Sequence, residues 1–309
     1  MSMKVSTSMF FDNASNMLSN VQSSLAKTQE QLSTGKQITK PSDVPEKAAV
    51  VTRIESELAR QTSYQNSMKT VGIRLTAEET ALSSSSDVMY RMKELAMQAA
   101  NDTLSPADRQ TVSLEMSQLR DQMLSLANSQ DSNGNYLFAG SRVTHMPFTN
   151  DAKGRVVYQG DESRMLVAVG DNRRMNLNMV GSDAFTNVVR DDGKGGKVGV
   201  GFFQSMDDLV ASVKNSDKVG IQRGLGELDT LQQGLSNATA QIGTDQNVID
   251  SQNNVLDETV LRLKTTLSDV QDLDYTEAIT KLNKDQLALE SAQSSFAKIS
   301  KLSLFNFIN

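Results

Sequence analysis

Both ends of the chain carry a heptad pattern, in which residues of one helix face recur with alternating gaps of three and four. Such a pattern predicts a helix with a single apolar face. Two helices of this kind bury that face only against each other or against neighbouring molecules, so the pattern predicts an assembly seam. Its N-terminal positions are Phe11, Ala14, Leu18, Val21, Leu25, Thr28 and Leu32. Its C-terminal positions are Leu282, Asp285, Leu289, Ala292, Phe296 and Ile299, where Asp285 interrupts the apolar pattern.

A short connector follows the first heptad segment. Gly35 is typical of a residue that ends a helix, and Pro41 and Pro45 argue against helix through the stretch that follows. Asp43, three residues before Glu46, predicts the N-cap of a new helix. Gly35, Pro41, Asp43 and Pro45 therefore define a predicted hinge.

Helical spacing of apolar residues continues through most of the remaining chain. The sequence predicts helices from Glu46 to about Asn101, from Pro106 after an N-cap at Ser105, and from near Ser205, with a stripe from Ile221 to Val270. The methionines at helical spacing in these segments are expected to lie in the core. Asp274 and Glu277 then predict the cap of the terminal helix.

The segment between the helices differs in composition, because 11 of the 18 glycines fall between Asn133 and Gly201. Residues 155–159 and 165–169 resemble strands. Turn residues at Asn150 to Gly154 and at Gly160 to Glu162 predict two hairpin turns, and the sequence GKGGKVGVG predicts a loop. An inserted antiparallel β domain follows from these signals.

These signals together predict a mainly α protein with an inserted β domain. We expect an elongated molecule of long antiparallel helices with terminal coiled-coil segments. The predicted domains are residues 1–42 with 274–309, residues 43–132 with 205–273, and the insert at residues 133–204, facing solvent.

Composition narrows the possible functions. The net charge of −6 and the lack of a polybasic run argue against a nucleic acid partner, and no apolar stretch approaches the ~20 residues of a membrane span. The chain has no cysteine, and its one histidine, His145, lies in a predicted loop without a nucleophile partner. We expect no enzyme, cofactor or metal site, and export, if it occurs, without a cleaved Sec signal.

Three stretches carry a resemblance to a known family. LSTGKQITKPSDVPEKAAV at 32–50 resembles the N-terminal signature of the flagellin family, except that Val44 replaces the usual second Asp. NGNYLFAGSRVTHMPF at 133–148 and the C-terminal stretch from Asp272 to Ile308 resemble the hook-associated members of that family, which join the hook to the filament.

The resemblance implies a structural adaptor of the bacterial flagellum, exported by the type III route. Subunits would form a ring between hook-associated protein 1 and flagellin, with the terminal heptads lining the central channel. A cytoplasmic export chaperone would bind the C-terminal helix, residues 274–309. The protein would then be extracellular, at the hook–filament junction, after a transient cytoplasmic stage.

Three alternatives stay open from the residues. The chain resembles flagellin itself, although YLFAG followed by MPF disfavours that assignment. A secreted coiled-coil protein that binds a surface, such as an adhesin or a needle-tip protein, would carry its function on the insert. An enzyme carried on the insert is the third alternative, and it lacks a visible triad or ligand set.

Overall fold

The computed structural model describes residues 2–101, 103–191 and 196–305; the side chains of residues 2–8, 10 and 299–305 lie outside that description. The helices are α1 Ser2–Thr34, α2 Pro45–Ala100, α3 Pro106–Ala127, α4 Gly181–Ala184, α5 Phe202–Lys214, α6 Lys218–Gln271 and α7 Tyr275–Phe305. The strands are β1 Phe148–Asn150, β2 Val156–Tyr158, β3 Leu166–Ala168, β4 Arg174–Asn176, β5 Val188–Asp191 and β6 Lys197–Val200. This confirms a mainly α fold with inserted antiparallel strands.

The chain forms two compact units, residues 1–60 with 258–309, and residues 61–257. The first unit contains the terminal helices and the adjacent ends of α2 and α6, and the second contains the six strands and the other helices. The predicted boundaries at residues 42, 132, 204 and 273 describe a finer division into three parts, which stays a prediction.

In the second unit, α2 and α6 run antiparallel with a nearly constant register. Polar pairs join Gln65 to Asp257, Glu79 to Gln246 and Lys93 to Asp229, so residue numbers rise on one helix as they fall on the other. The methionines predicted to be core residues are buried between these helices and their neighbours. Met68, Met92, Met116 and Met123, at the predicted stripe positions, are fully buried, and so is Met206 of α5. Of the helices described, none is both long enough and apolar enough to cross a membrane.

Helix α3 starts at the predicted cap. The Ser105 side chain accepts a hydrogen bond from the Asp108 backbone amide, and the Asp108 side chain accepts one from the Ser105 amide, which forms a capping box before Pro106. The helix then runs back along α2, because Arg109 donates to the Ala99 carbonyl while Glu115 pairs with Arg91. The expected antiparallel packing of helices therefore holds for α2 and α3.

The insert consists of three separate two-stranded hairpins, β1–β2, β3–β4 and β5–β6. The predicted turn between Asn150 and Gly154 closes the first hairpin. The predicted hairpin turn at Gly160 to Glu162 is wrong, because β2 and β3 do not pair and this segment only connects two hairpins. The predicted glycine-rich loop is partly wrong, because Lys197–Val200 forms β6. Glycines are compatible with this strand, since its hydrogen bonds to β5 join backbone groups and require no side chain.

An aromatic cluster anchors the insert to the helices. Phe148 packs on Tyr158, Phe185 and Phe203 with ring centroids 5.1–5.4 Å apart, and Phe185 packs on Phe138 at 5.4 Å. Phe203 belongs to α5, which begins at Phe202, three residues before Ser205, so one end of the insert is continuous with a helix that packs on α3. Edge-to-face pairs of this kind add to the stability gained from burying the rings.

Replacing Gly140 by alanine should destabilise the insert more than the same change at Gly154. Both residues have positive φ, +68° and +77°, which costs a side chain about 1 kcal/mol. At Gly140 an added Cβ would also lie 2.2 Å from the Asp161 carbonyl oxygen, whereas at Gly154 nothing lies within 4 Å. Urea unfolding should show a loss of about 2 kcal/mol or more for Gly140→Ala, and equal losses at both sites would contradict this account.

Acid should destabilise the turns of the insert. Hydrogen bonds from Arg155 to Asp151 and from Ser141 to Asp161 hold the pKa of each carboxyl below its ordinary value of 3.8. Since the pKa is lowered in the folded state, this stabilisation is complete above that value and is lost as the pH falls through the folded-state pKa. Unfolding free energy should therefore decline below about pH 4.

The matched variants for this acid effect are Asp151→Asn and Asp87→Asn. Asp87 is an exposed residue of α2. Asp151→Asn should flatten the decline measured by urea unfolding from pH 6 to pH 2.5, and Asp87→Asn should leave it as in the wild type. An unchanged profile in Asp151→Asn would show that other groups cause the acid effect.

Candidate assembly interface

Helices α1 and α7 pair antiparallel through the predicted heptad faces. The rings of Phe11 and Phe296 meet edge to face, with centroids 5.7 Å apart. Farther along, the Ser24 hydroxyl donates to Asp285 at 2.8 Å. In both contacts the residue numbers add to nearly the same value, so one register holds along the pair.

The predicted seam residues lie at this interface, yet most of them are only half-buried. This holds for Phe11, Leu18, Val21, Leu25, Leu32, Leu282, Leu289, Ala292 and Phe296. The side chain of Ile299 lies outside the described residues. Thr28 and Ala278 are buried, with exposed fractions of 0% and 5%. The pair within one chain thus covers only part of its apolar surface, and a contact with another helix would bury more.

Asp285, the charged position in the C-terminal heptad, has a polar partner across the seam. Its carboxylate accepts the Ser24 hydrogen bond, and both side chains are half-buried. The neighbouring Thr28 turns its hydroxyl to the Ser24 carbonyl, at 3.0 Å, so its own polar group is satisfied within α1. A polar pair in an apolar seam favours one register, since any shift leaves a polar group without its partner.

A groove of about 430 Å³ runs along one side of the α1–α7 pair. Four of the five residues of its α7 wall are small, Phe296 being the exception, and its α1 wall includes Met17, which is 61% exposed. The distance between packed helices depends on the side chains at the contact, so a wall of small residues admits a close third helix. The lining residues are Asn13, Ala14, Met17, Ala288, Ser291, Ala292, Ser295 and Phe296.

The connector after α1 lies beside the break between α6 and α7. Gly35 has φ of +69°, as expected for a glycine that ends a helix. The Gln37 amide donates to the Gln271 carbonyl at 2.7 Å, and the Leu273 amide donates to the Gly35 carbonyl at 3.0 Å. Two backbone hydrogen bonds therefore join the two interruptions of the helices.

Two details of the predicted hinge are corrected. Pro45 does not exclude helix but is the first residue of α2, a position where its missing N–H has no intrahelical acceptor. Asp43 lies two residues before that start, and its carboxylate pairs with Lys27 at 3.3 Å instead of capping α2. Pro41 is exposed in the turn between the helices. Whether the connector bends stays a prediction.

Among the described residues, no group of three or more His, Asp or Glu side chains is arranged to hold a metal ion. The Asp131 carboxylate accepts from the backbone amides of Asn133 and Asn135, which makes this segment a turn. His145 is exposed, with Nδ1 3.1 Å from the Thr144 hydroxyl.

Sequence periodicity missed part of this interface. Ser24, Asn13, Met17, Ser291 and Ser295 lie beside the heptad positions and form the polar pair and the groove. The signal that points to the groove is the spacing of Ala288, Ser291 or Ala292, and Ser295, which places small residues on one side of α7.

Two family models match the chain. The bacterial flagellin N-terminal helical region matches residues 5–143, and the bacterial flagellin C-terminal helical region matches residues 225–308. The chain is 27% identical to flagellar hook-associated protein 3 of Salmonella typhimurium, over 98% of this chain and 99% of that protein. It is 28% identical to the protein of the same name from Escherichia coli, with the same coverage.

A solved structure of the same fold is that of a hook-associated protein, described as putative, from Vibrio parahaemolyticus. It superposes with a TM-score of 0.66 and 23% identity, and covers 74% of this chain and 100% of that chain. Helix α7 and all of α1 from residue 5 onward lie within the two matched regions. The chain belongs to the bacterial flagellin family, and within it is similar along nearly its full length to flagellar hook-associated protein 3.

Proposed function

We propose that this protein is a structural adaptor of the bacterial flagellum that joins the hook to the filament. The observation that supports this most is the partly covered α1–α7 pair, because a half-buried apolar seam is an incomplete interface. The full-length similarity to hook-associated protein 3 favours the junction over the filament itself. Its work is to bind other subunits, and we propose no catalytic role.

In the proposed mechanism, each subunit completes the interface of its neighbour. The groove beside Met17 and Ala288 receives a helix of a second copy, and repetition of that contact builds a ring. A contact of this head-to-tail type closes into a ring when the rotation between copies closes. Small residues on α7 allow the close approach that shape complementarity requires.

The ring would contact hook-associated protein 1 on one side and flagellin on the other. Before assembly, a cytoplasmic export chaperone would bind α7, because Leu287, Ile279 and Tyr275 leave apolar surface exposed on this helix, at 66%, 50% and 53%. Covering such surface before assembly reduces aggregation. The final location would be extracellular, at the hook–filament junction.

Filling the groove should block assembly while leaving the subunit folded. The double variant Ser291→Phe and Ser295→Phe adds bulk at two exposed positions of the groove, outside the α1–α7 seam. A strain that carries it in place of the wild type should lose swarming motility and should release flagellin into the medium. Gln293→Phe, an exposed residue of α7 that does not line the groove, is the matched control.

Two further measurements separate assembly from export and folding. Immunoblots of secreted and cytoplasmic fractions should show normal export of the groove variant, and circular dichroism should show wild-type helix content. Normal motility with the groove filled would refute the proposed contact. An adhesin-like function would instead leave motility intact and depend on the insert.

The polar pair should favour one register of α1 and α7. Ser24→Ala leaves the half-buried Asp285 carboxylate without its partner. Amide exchange in α1 and α7 should therefore accelerate, because the free energy of opening falls by about 1 kcal/mol. Adding Asp285→Ala should recover much of that protection, because neither polar group then needs a partner. Ser23→Ala, at an exposed neighbouring position, is the control. Additive losses in the double variant would argue against coupling.

A further inference from the structure

Helix α2 contains an ion pair that the assembly interface does not use. Glu78 is fully buried, at 0% exposure, and Arg74 is nearly so. One carboxylate oxygen, Oε1, accepts from Arg74 Nε at 3.1 Å and from the Met179 backbone amide at 3.2 Å. The other, Oε2, is buried and has no hydrogen-bond partner among the described residues. An ionised carboxylate in that position lacks part of the solvation that it would have in water.

Arg74 does not depend on Glu78 alone. Its guanidinium donates to the carbonyl oxygens of Tyr136 and Leu137, at 3.1 and 2.8 Å. A second carboxylate, that of Asp131, lies 3.7 Å from Nη1. Protonation of Glu78 would therefore leave the charge of Arg74 with a carboxylate partner and several acceptors.

Glu78 also lines a cavity of about 50 Å³ between α2, α6 and the insert. The lining includes Asp245 of α6 and Arg164, Asn178 and Asp183 of the insert. Arg164 pairs with Asp183 at 2.6 Å, whereas Asp245 places a further negative charge beside Glu78. The charged groups around Glu78 are thus Arg74, Asp131, Arg164, Asp183 and Asp245.

The balance of these effects favours the protonated acid. Burial raises the pKa of Glu78 to about 7, with Arg74 opposing the shift and Asp245 adding to it. This cavity of about 50 Å³ exceeds the ~10–15 Å³ that one water molecule needs, so a water molecule fits there and can accept a hydrogen bond from the protonated carboxyl group.

We propose that Glu78 is a proton-binding site that controls how firmly the backbone at Met179, called the Met179 segment, packs over α2. With Glu78 protonated, Oε1 keeps its two donors and Oε2 carries a neutral hydroxyl, so the segment stays closed. When Glu78 ionises, the second oxygen needs solvation, and opening of the Met179 segment supplies it. This device is independent of the proposed assembly, since it lies wholly within residues 61–257.

The direction of the effect follows from linkage. Because the pKa is raised in the closed state, the stabilisation is fully present below the ordinary value of 4.5 and is lost as the pH rises through about 7. For an open state with the ordinary pKa, the equilibrium constant for opening should increase roughly 70-fold between pH 5 and pH 8.

Hydrogen exchange of the Met179 amide measures this opening directly. After correction for the intrinsic rise of exchange with pH, its protection should fall from pH 5 to pH 8 in the wild type. Glu78→Gln keeps the shape and an uncharged donor at the second position, so its protection should not vary with pH. Glu79→Gln, which removes the neighbouring carboxylate that accepts from Gln246, should behave as the wild type. Equal pH dependence in Glu78→Gln and wild type would overturn the proposal.

A second measurement does not require a folded Glu78→Gln variant. The ¹³C resonance of the Glu78 carboxyl should titrate near pH 7 in the wild type. Asp245→Asn should lower that midpoint, because it removes a negative charge that opposes ionisation. Titration of Glu78 near its ordinary 4.5 would overturn the proposal, as would a midpoint unaffected by Asp245→Asn.

Discussion

A long helix with one apolar face has to cover that face, and this requirement organises the whole chain. In the second unit, α2 and α6 cover each other along a nearly constant antiparallel register, and α3 and α5 complete the core around the buried methionines. In the first unit, α1 and α7 meet the same requirement only in part, because their seam residues stay half-buried. Under the proposed function, this partial coverage is what leaves the first unit able to bind a neighbouring subunit.

Periodicity located the long helices, and one capping signal located the start of α3. The heptads at Phe11 to Leu32 and at Leu282 to Phe296 predicted the α1–α7 seam, and Ser105 predicted the start of α3. These features depend on local spacing, which the sequence contains directly. The family followed instead from the resemblance of residues 32–50, 133–148 and 272–308, and the family models match both ends of the chain.

Other features depend on contacts between distant residues, and the sequence did not reveal them. Which strands pair is decided by turn geometry and by packing on Phe148 and Phe185, so Gly160 to Glu162 looked like a hairpin turn and is not one. Asp43 was expected to cap α2, but its carboxylate forms an ion pair with Lys27 instead. Ser24 had no visible role until Asp285 was placed opposite it. A partner more than 200 residues away leaves no local signal.

The joined interruptions at Gly35 and Leu273 bear on how freely this part of the sequence can vary. The bonds there connect backbone amides and carbonyls, which every residue except proline can supply. Val44, where the family signature has an aspartate, is partly exposed and takes no part in these bonds. Substitution at such positions leaves the geometry unchanged, so the joint tolerates sequence drift as long as the glycine with positive φ is kept.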